Sequence, residues 1–172
     1  FISEFFSNHT IGKLFKGIIF NLDKNKFEPF VFHSHKTEKT PIFEEFINHE
    51  IKSDLKNIVL SKNYKKNIEE IQRTNLDIVL FPDIGMSSEF YYLSFIRFAK
   101  IQITSWGHPI TTSNDSIDYF LSSKLLETKD AYKRFSEKLI LSDYLPMYFY
   151  KPKIKNILSE NEIVKKNIYF CS

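Results

Sequence analysis

Short apolar runs alternate with segments of helical periodicity along almost the whole chain, and this alternation is the feature that most restricts its fold. The run at 78–81 is apolar at every position and ends at Pro82. Strands of parallel sheets, which are covered on both faces, have this composition. By contrast, the apolar residues of 11–22 recur at the i, i+3, i+4 spacing of one helix face. The alternation predicts a doubly wound, mostly parallel, Rossmann-like α/β sheet with right-handed crossovers.

The same patterns predict the individual elements. Predicted strands cover 1–3, 27–33, 57–61, 78–81, 100–106, 117–123 and 138–142, and predicted helices cover 11–22, 41–55, 63–75, 88–99 and 128–136. Ser7, Asn8 and Thr10 are candidate caps of the first helix, which should begin next to His9. Pro29 removes a ladder donor and therefore predicts that its strand lies near a sheet edge. Residues 88–99 are apolar almost all round, which predicts a buried helix behind a Ser87 cap.

Composition excludes several classes of protein. The 24 Lys and Arg are interspersed with 21 Asp and Glu, so the formal charge of +3 gives no electrostatic case for nucleic acid or an anionic membrane. The single cysteine, Cys171, rules out an internal disulfide framework and is typical of a reducing cytoplasm. No apolar stretch approaches the roughly 18–20 residues that a membrane span needs. The chain begins at Phe1 and stops within a predicted strand, so we expect a piece of a longer protein.

Three chemically distinctive loops follow predicted strands. They are SEFFSNHT at 3–10, PDIGMSS at 82–88 and WGHPITTS at 106–113. In an open α/β sheet, ligands bind beyond the carboxyl ends of the strands, where such loops lie. We therefore expect all three loops at one edge of the sheet, and this co-location is the functional signal.

Common ligand motifs are absent. The four glycines do not form the G-x-G-x-x-G fingerprint, and Gly12 and Gly17 are followed by isoleucines where a phosphate-binding P-loop needs Lys and Ser or Thr. No G-x-S-x-G elbow of a hydrolase occurs. His33 and His35 could offer two metal ligands, but no third ligand adjoins them, which favours a plain exposed loop.

Each loop has a functional and a structural interpretation. A histidine at a helix N-terminus is favoured in its neutral form by the helix dipole, as a general base requires, but His9 could equally be a surface or capping residue. His108 sits in a loop stiffened by Pro109, beside hydroxyl residues able to bind a polar ligand. The alternative is a turn anchored by a buried Trp106. PDIGM could likewise be an ordinary turn, with Met86 in the core.

Four stretches together resemble one family. They are FISEFFSNHTIGKLFKGIIFNLDKNKFEPFVF, LDIVLFPDIGM, RFAKIQITSWGHPITTSNDSIDYFLSS and FSEKLILSDYLP. Their order and spacing resemble the O-linked N-acetylglucosamine transferase/SPINDLY family (glycosyltransferase family 41), particularly its bacterial members. The resemblance covers nearly the whole chain.

The resemblance implies the N-terminal half of a GT-B glycosyltransferase, whose active site lies between two Rossmann-like halves. Residues 1–150 would be the acceptor-side half, 151–167 a connector and 168–172 the first strand of a nucleotide-sugar-binding half. Such an enzyme moves a sugar from a nucleotide-sugar, here UDP-GlcNAc-like, to a protein side chain. It does so with inversion and with neither metal nor cofactor. Its partners would be the donor, the protein acceptor and possible upstream tetratricopeptide repeats, in the cytoplasm.

Site residues carry over by motif. His9 matches the family's active-site histidine, described as a base or an acceptor-positioning group. The residues that match cleft-lining, substrate-binding positions are Gly107, His108, Pro109, Thr111, Thr112, Asp83 and Gly85. This chain departs from the family in having Thr10 where most relatives have Pro, and Ser113 where many have Gly. It has no histidine between His49 and His108, so the second active-site histidine of animal members has no counterpart.

Two further hypotheses stay open. One is a non-catalytic α/β interaction domain that kept the fold without catalysis. The other is a complete, small sugar-phosphate-binding protein of flavodoxin-like topology.

Overall fold

The computed structural model describes residues 1–52 and 54–151, in which seven parallel strands are separated by helices, except that β5 runs into β6 through a loop without a helix. The strands are β1 (Ile2–Ser3), β2 (Phe30–His33), β3 (Lys56–Val59), β4 (Ile78–Phe81), β5 (Ile101–Ser105), β6 (Tyr119–Ser123) and β7 (Lys138–Ser142). The helices are α1 (Thr10–Phe20), α2 (Pro41–Lys52), α3 (Tyr64–Arg73) and α4 (Ser88–Leu93), with a 3₁₀ helix at Ala131–Arg134. The predicted connector at 151–167, apart from its first residue, and the strand predicted at 168–172 lie outside the described residues.

The strand order confirms a doubly wound fold. One parallel sheet has the order β1-β2-β3, and a second has the order β4-β5-β6-β7. The two meet where β1 lies beside β4. The chain therefore winds outward from β1 in one direction and from β4 in the other, which makes this junction the topological switch point. Because β1 has only two residues, the two sheets are not joined by a continuous ladder.

Apolar residues fill both faces of the sheets. Successive residues of a strand point to opposite faces, so Val31 packs beneath α1 and α2, while Phe32 packs with Ile71 of α3. The first face is rich in fully buried aromatic side chains, among them Phe6, Phe15 and Phe46. Each such side chain contributes roughly 1.5–3 kcal/mol by leaving water. The core thus holds rigid the sheet edge from which the loops project.

One prediction about the sheet is confirmed and another needs correction. β2 lies near the sheet edge, next to the outermost strand β3, although it is itself paired on both sides, with β1 and with β3. Pro29 precedes its first residue, so no ladder donor is lost, and the Pro29 carbonyl accepts a hydrogen bond from the Lys56 amide (3.0 Å). Ile78, at the start of β4, is 46% exposed, so that strand is not covered along its whole length.

Two predicted helices are shorter than the pattern indicated. α4 has six residues and buries Phe90 and Leu93, but Tyr92 is 64% exposed, so it is not buried all round. Of the segment 128–136, only Ala131–Arg134 is helical, as one turn of 3₁₀ helix. The segment 88–99 is rich in aromatic residues, which satisfy several periodicities in a short window, whereas 128–136 has only Ala131, Tyr132 and Phe135 as apolar residues and therefore too little apolar surface to define a long helix.

His33 lies in the core and not in the exposed loop that the sequence favoured. Its ring is fully buried against Phe6, Phe43 and Phe46, and its Nε2 lies 2.9 Å from Asn57 Oδ1. Burial lowers the pKa of His33 to about 4, although the Asn57 contact opposes this shift. His33 is therefore a neutral core residue at ordinary pH.

Candidate functional site

His9 follows the carboxyl end of β1, next to the switch point, and caps α1 with its own side chain. Its Nδ1 accepts a hydrogen bond from the Ile11 amide (3.3 Å), and its ring lies 4.6 Å from that of Phe5. The predicted start of the helix is confirmed, but the cap is His9 itself rather than Ser7, Asn8 or Thr10. Since Nδ1 accepts, the neutral imidazole carries its proton on Nε2. His9 therefore offers the site a donor and not a free lone pair.

The loop around His9 is tied to the next helix along the chain. The Asn8 amide donates to Thr40 Oγ1 (2.8 Å), and Asn8 Oδ1 accepts from the Ile42 amide (3.2 Å) in the first turn of α2. Asn8 thus caps α2 instead of α1. The loop borders an open cleft of about 300 Å³ lined by Glu4, Phe5, Ser7, Asn8, His9, Lys36 and Glu38.

Asp83 forms a buried acidic floor at the junction of β1 and β4. Its side chain is 5% exposed, and its Oδ2 accepts a hydrogen bond from Ser3 Oγ (2.8 Å), which bridges the two sheets. Burial raises the pKa of Asp83 to about 7, and the nearby Glu4 carboxylate raises it further, against the Ser3 hydrogen bond. Glu4 is itself held by the Ser87 hydroxyl (2.6 Å). A buried carboxyl with a strongly shifted pKa is a candidate functional residue.

Gly85 brings the PDIGM turn against His108. Its φ of +102° lies in the region that favours glycine, and a Cβ there would lie 2.9 Å from His108 Cδ2 and 3.2 Å from Nε2. The imidazole of His108 therefore occupies the space that a side chain at position 85 would need. Met86, beside it, is 38% exposed rather than part of the core.

Gly107 packs against the start of the PDIGM turn and against the first turn of α1, which directly follows the SEFFSNHT loop. A Cβ on Gly107 would come within 3.0 Å of the Pro82 carbonyl oxygen and lie 2.8 Å from Ile11 Cδ1. Pro82 follows β4, Ile11 belongs to the first turn of α1, and Gly107 follows β5. The predicted co-location of the three loops is thus seen in the described residues.

The hydroxyls of Thr111 and Thr112 are used within the protein. Thr111 Oγ1 donates to Glu137 Oε2 (2.8 Å) and lies 2.8 Å from Ser136 Oγ, while the Thr112 amide donates to Glu137 Oε1 (2.7 Å). The Thr112 hydroxyl donates to the same oxygen. The two threonines therefore fix the loop to Glu137. Pro109 is exposed at the tip of this loop, and His108 before it is half-buried.

Trp106 anchors the same loop from its other end. The indole is half-buried, and its Nε1 donates to Ser122 Oγ (2.7 Å). That hydroxyl donates to Glu127 Oε1 (2.8 Å), whose other oxygen pairs with Arg134 (3.0 Å). Glu127 and Glu137 were not among the predicted site residues. Glu137 belongs to the FSEKL stretch, and its place in this motif is the one feature of the sequence that could have indicated its role.

The described residues lack two kinds of feature. In 1–52 and 54–151, no three His, Cys, Asp or Glu side chains converge as a metal centre would require. His35 Nδ1 lies 3.9 Å from Glu89 Oε1 and adds no ligand to His33. Across the same ranges, no helix is both long enough and apolar enough to cross a bilayer.

Two parallel sheets that meet at a switch point, with helices on their faces, define a Rossmann-like α/β fold. No protein-family profile matches the chain. It is similar to a UDP-glucose:protein N-beta-glucosyltransferase of Actinobacillus pleuropneumoniae serotype 7, with 29% identity over 137 residues, which are 74% of this chain and 20% of that protein. The serotype 5b counterpart is also 29% identical, over 141 residues.

The fold is also that of part of a known transferase. A mutant O-GlcNAc transferase of Thermobaculum terrenum superposes with a TM-score of 0.75 and 16% identity, over 85% of this chain and 27% of that one. These likenesses confirm the fold class and the resemblance to protein glycosyltransferases. The chain spans about a fifth of the length of the curated relatives it matches.

Proposed function

We propose that this chain is the acceptor-side half of an inverting, metal-independent protein glycosyltransferase. The enzyme moves a sugar from a nucleotide-sugar, UDP-GlcNAc or a close analogue, to a protein side chain. The relatives' names support this proposal, because each acts between UDP-glucose and protein. The longer polypeptide would supply a second half that holds the nucleotide.

The observation that carries the proposal is the convergence of three loops at one crevice. The loops of His9, Asp83 and His108 meet at Gly107, beyond the carboxyl ends of β1, β4 and β5. Open α/β sheets bind their ligands at this position. The crevice presents donors and acceptors of several kinds on a rigid sheet, as recognition of a sugar and an acceptor side chain needs.

We assign His9 the part of a hydrogen-bond donor that positions the acceptor. Its Nδ1 is occupied by the Ile11 amide, so Nε2–H is the atom left for a substrate. Of the two roles that the family resemblance implies, this geometry supports positioning over proton abstraction. Gly107, His108, Pro109 and Gly85 then shape the wall of the site, Asp83 forms its floor, and Thr111 and Thr112 brace the wall.

The organisation of the longer protein belongs to the same proposal. Residues 1–150 would form this half, 151–167 the connector and 168–172 the first strand of the second half, with tetratricopeptide repeats upstream and a cytoplasmic location. Aromatic side chains stand exposed at the end of the described chain, among them Tyr144 (80%) and Phe149 (63%). An exposed apolar surface of this kind supports docking of a second half there.

A non-catalytic binding domain is the second candidate, and the capping bond of His9 favours it. If His9 only caps α1, any residue that caps equally well should replace it without loss of function.

Three variants of His9 in the longer polypeptide separate these roles. Asn at position 9 keeps an oxygen near the place of Nδ1 and preserves the cap, but it removes the Nε2–H donor. Gln carries an amide N–H near the place of Nε2, and Ala loses both groups. We expect His9→Asn to fold normally and to lose about 10²–10³-fold in kcat, as when one positioned donor is removed. His9→Ala should in addition lose about 1 kcal/mol of stability.

The assay measures transfer of sugar to a protein acceptor by mass spectrometry, with unfolding followed in parallel. His9→Gln should retain more activity than His9→Asn, because a donor remains. A fully active His9→Ala enzyme would remove His9 from the mechanism. Activity lost equally in all three variants would instead favour a base.

A further inference from the structure

The loop that carries His108 is held by a carboxylate from a distant part of the chain. Glu137 lies 25 residues from Thr112 and 26 from Thr111, immediately before β7, and only 5% of it is exposed. Burial disfavours its ionised form, but the hydrogen bonds from Thr112 and Thr111 outweigh this and hold the pKa of Glu137 below its usual value. The carboxylate is therefore ionised when it accepts these bonds, which makes them charge-assisted.

The loop needs such a restraint. Ser113 adopts a φ of +51°, a left-handed conformation that costs a non-glycine residue of order 1 kcal/mol. Ile110 is 55% exposed, so its side chain adds little packing at the loop's tip. Without partners for its hydroxyls and for the Thr112 amide, the loop would lose the bonds that offset this strain.

The orientation of His108 depends on the loop backbone. Within the part of the chain that the structure describes, no side chain hydrogen-bonds to its imidazole. Its carbonyl accepts from the Ile110 amide (2.8 Å), and its ring lies against Gly85. A shift of the backbone at 109–112 would therefore move the ring away from Gly85.

We propose that Glu137 is a positioning residue. Its ionised carboxylate accepts hydrogen bonds from Thr111 and Thr112, and these bonds keep His108 against Gly85 at the edge of the crevice. Glu127 restrains the start of the loop, because it accepts a hydrogen bond from Ser122, whose hydroxyl in turn accepts one from Trp106. Glu137 restrains the part of the loop that follows His108. The catalytic consequence rests on the proposed function, but the positioning itself does not.

The test uses the isotope-labelled chain and needs no substrate. Glu137→Ala removes the acceptor of these hydrogen bonds. Glu137→Gln keeps the shape of the side chain but removes its charge, and Thr112→Val removes one hydroxyl. Glu45→Ala is the matched control, since Glu45 lies on α2 with a half-exposed side chain paired to Lys16. Amide hydrogen exchange is followed at Thr112 and compared with strand amides, together with the NMR signals of the His108 ring.

We expect Glu137→Ala to speed exchange at Thr112 at least ten-fold relative to the β2 amides and to shift the His108 signals. Glu137→Gln and Thr112→Val should show smaller changes at the same places, and Glu45→Ala should show none. If Glu137→Ala does not fold, the exchange rates and His108 signals of Glu137→Gln and Thr112→Val test the proposal instead. Unchanged His108 signals, or exchange raised equally throughout the chain, would overturn the proposal. Because no transfer is measured, a negative transferase assay would count against the proposed function alone.

Discussion

Asp83→Asn becomes progressively more stable relative to the parent chain as the pH is raised from 4 to 8. The parent buries a carboxyl whose pKa is raised to about 7, while in the unfolded chain the same group ionises near 3.8. Between these values the folded state holds a proton that the unfolded state has released, so stability falls as pH rises. Asparagine has no proton to release, and the shift corresponds to about 4 kcal/mol.

Urea unfolding at several pH values between 4 and 8 measures this difference. His33 titrates in part of the same window with the opposite sign, because its pKa is lowered to about 4, but its contribution is common to both proteins and cancels. Asp77→Asn, which removes an exposed carboxylate just before β4, is the matched control for the loss of one carboxylate. A difference for Asp83→Asn that does not change with pH would mean that its carboxyl is not desolvated.

This result bears on function because a residue that costs stability at neutral pH needs another reason to be present. Ser3 is the one side chain that hydrogen-bonds to Asp83 among the described residues. A buried carboxyl at a switch point is suited to binding a polar ligand. We therefore expect the variant that gains stability at pH 8 to lose transfer activity in the longer polypeptide, the usual trade-off at a binding site.

Gly107→Ala destabilises the chain by about 3 kcal/mol, at the upper end of the cost of overpacking a core. The added Cβ would come within 3.0 Å of the Pro82 carbonyl oxygen, and 2.8 Å from Ile11 Cδ1. The isoleucine can rotate, but the carbonyl belongs to the backbone after β4 and cannot move without the strand end. The clash therefore separates the loops that meet at the crevice.

Chemical denaturation of Gly107→Ala measures the loss. Ser113→Gly, in the same loop, is the control and should be neutral or stabilising, because it relieves a φ of +51°. Ile11→Val combined with Gly107→Ala should restore little, since Pro82 remains in place. A Gly107→Ala protein as stable as the parent would contradict the close approach of the three loops.

Local patterns were sufficient for the strands and for the crevice. Apolar runs such as 78–81 predicted the strands, and parallel topology then placed the loops after β1, β4 and β5 at one edge. The length of α4 was overestimated, because an aromatic run satisfies helical and strand periodicity alike. Pro29 correctly indicated a strand near the sheet edge, but it removes no ladder donor, because it lies directly before β2 and not inside it.

The fine structure of the site depends on contacts that no local pattern encodes. Asn8 caps a helix that begins at Pro41, and Glu137 binds threonines 25 residues away. The sequence indicated hydroxyls near a ligand, and the structure has Thr111 and Thr112 turned to Glu137. Which polar group faces inward therefore depends on contacts between residues that are distant in the sequence, and these contacts are visible only in the folded chain.

Transfer of sugar to protein is the measurement that tests the central claim most directly. The 172-residue chain and the longer polypeptide that contains it are each incubated with UDP-GlcNAc or UDP-glucose and an acceptor protein, and the acceptor's mass is then measured. We predict that the longer polypeptide adds hexose or N-acetylhexosamine without added metal, and that the chain alone adds none, because the proposed function places the second half of the cleft outside it. Transfer by the isolated chain, or none from a folded longer polypeptide with any nucleotide-sugar, would contradict the account.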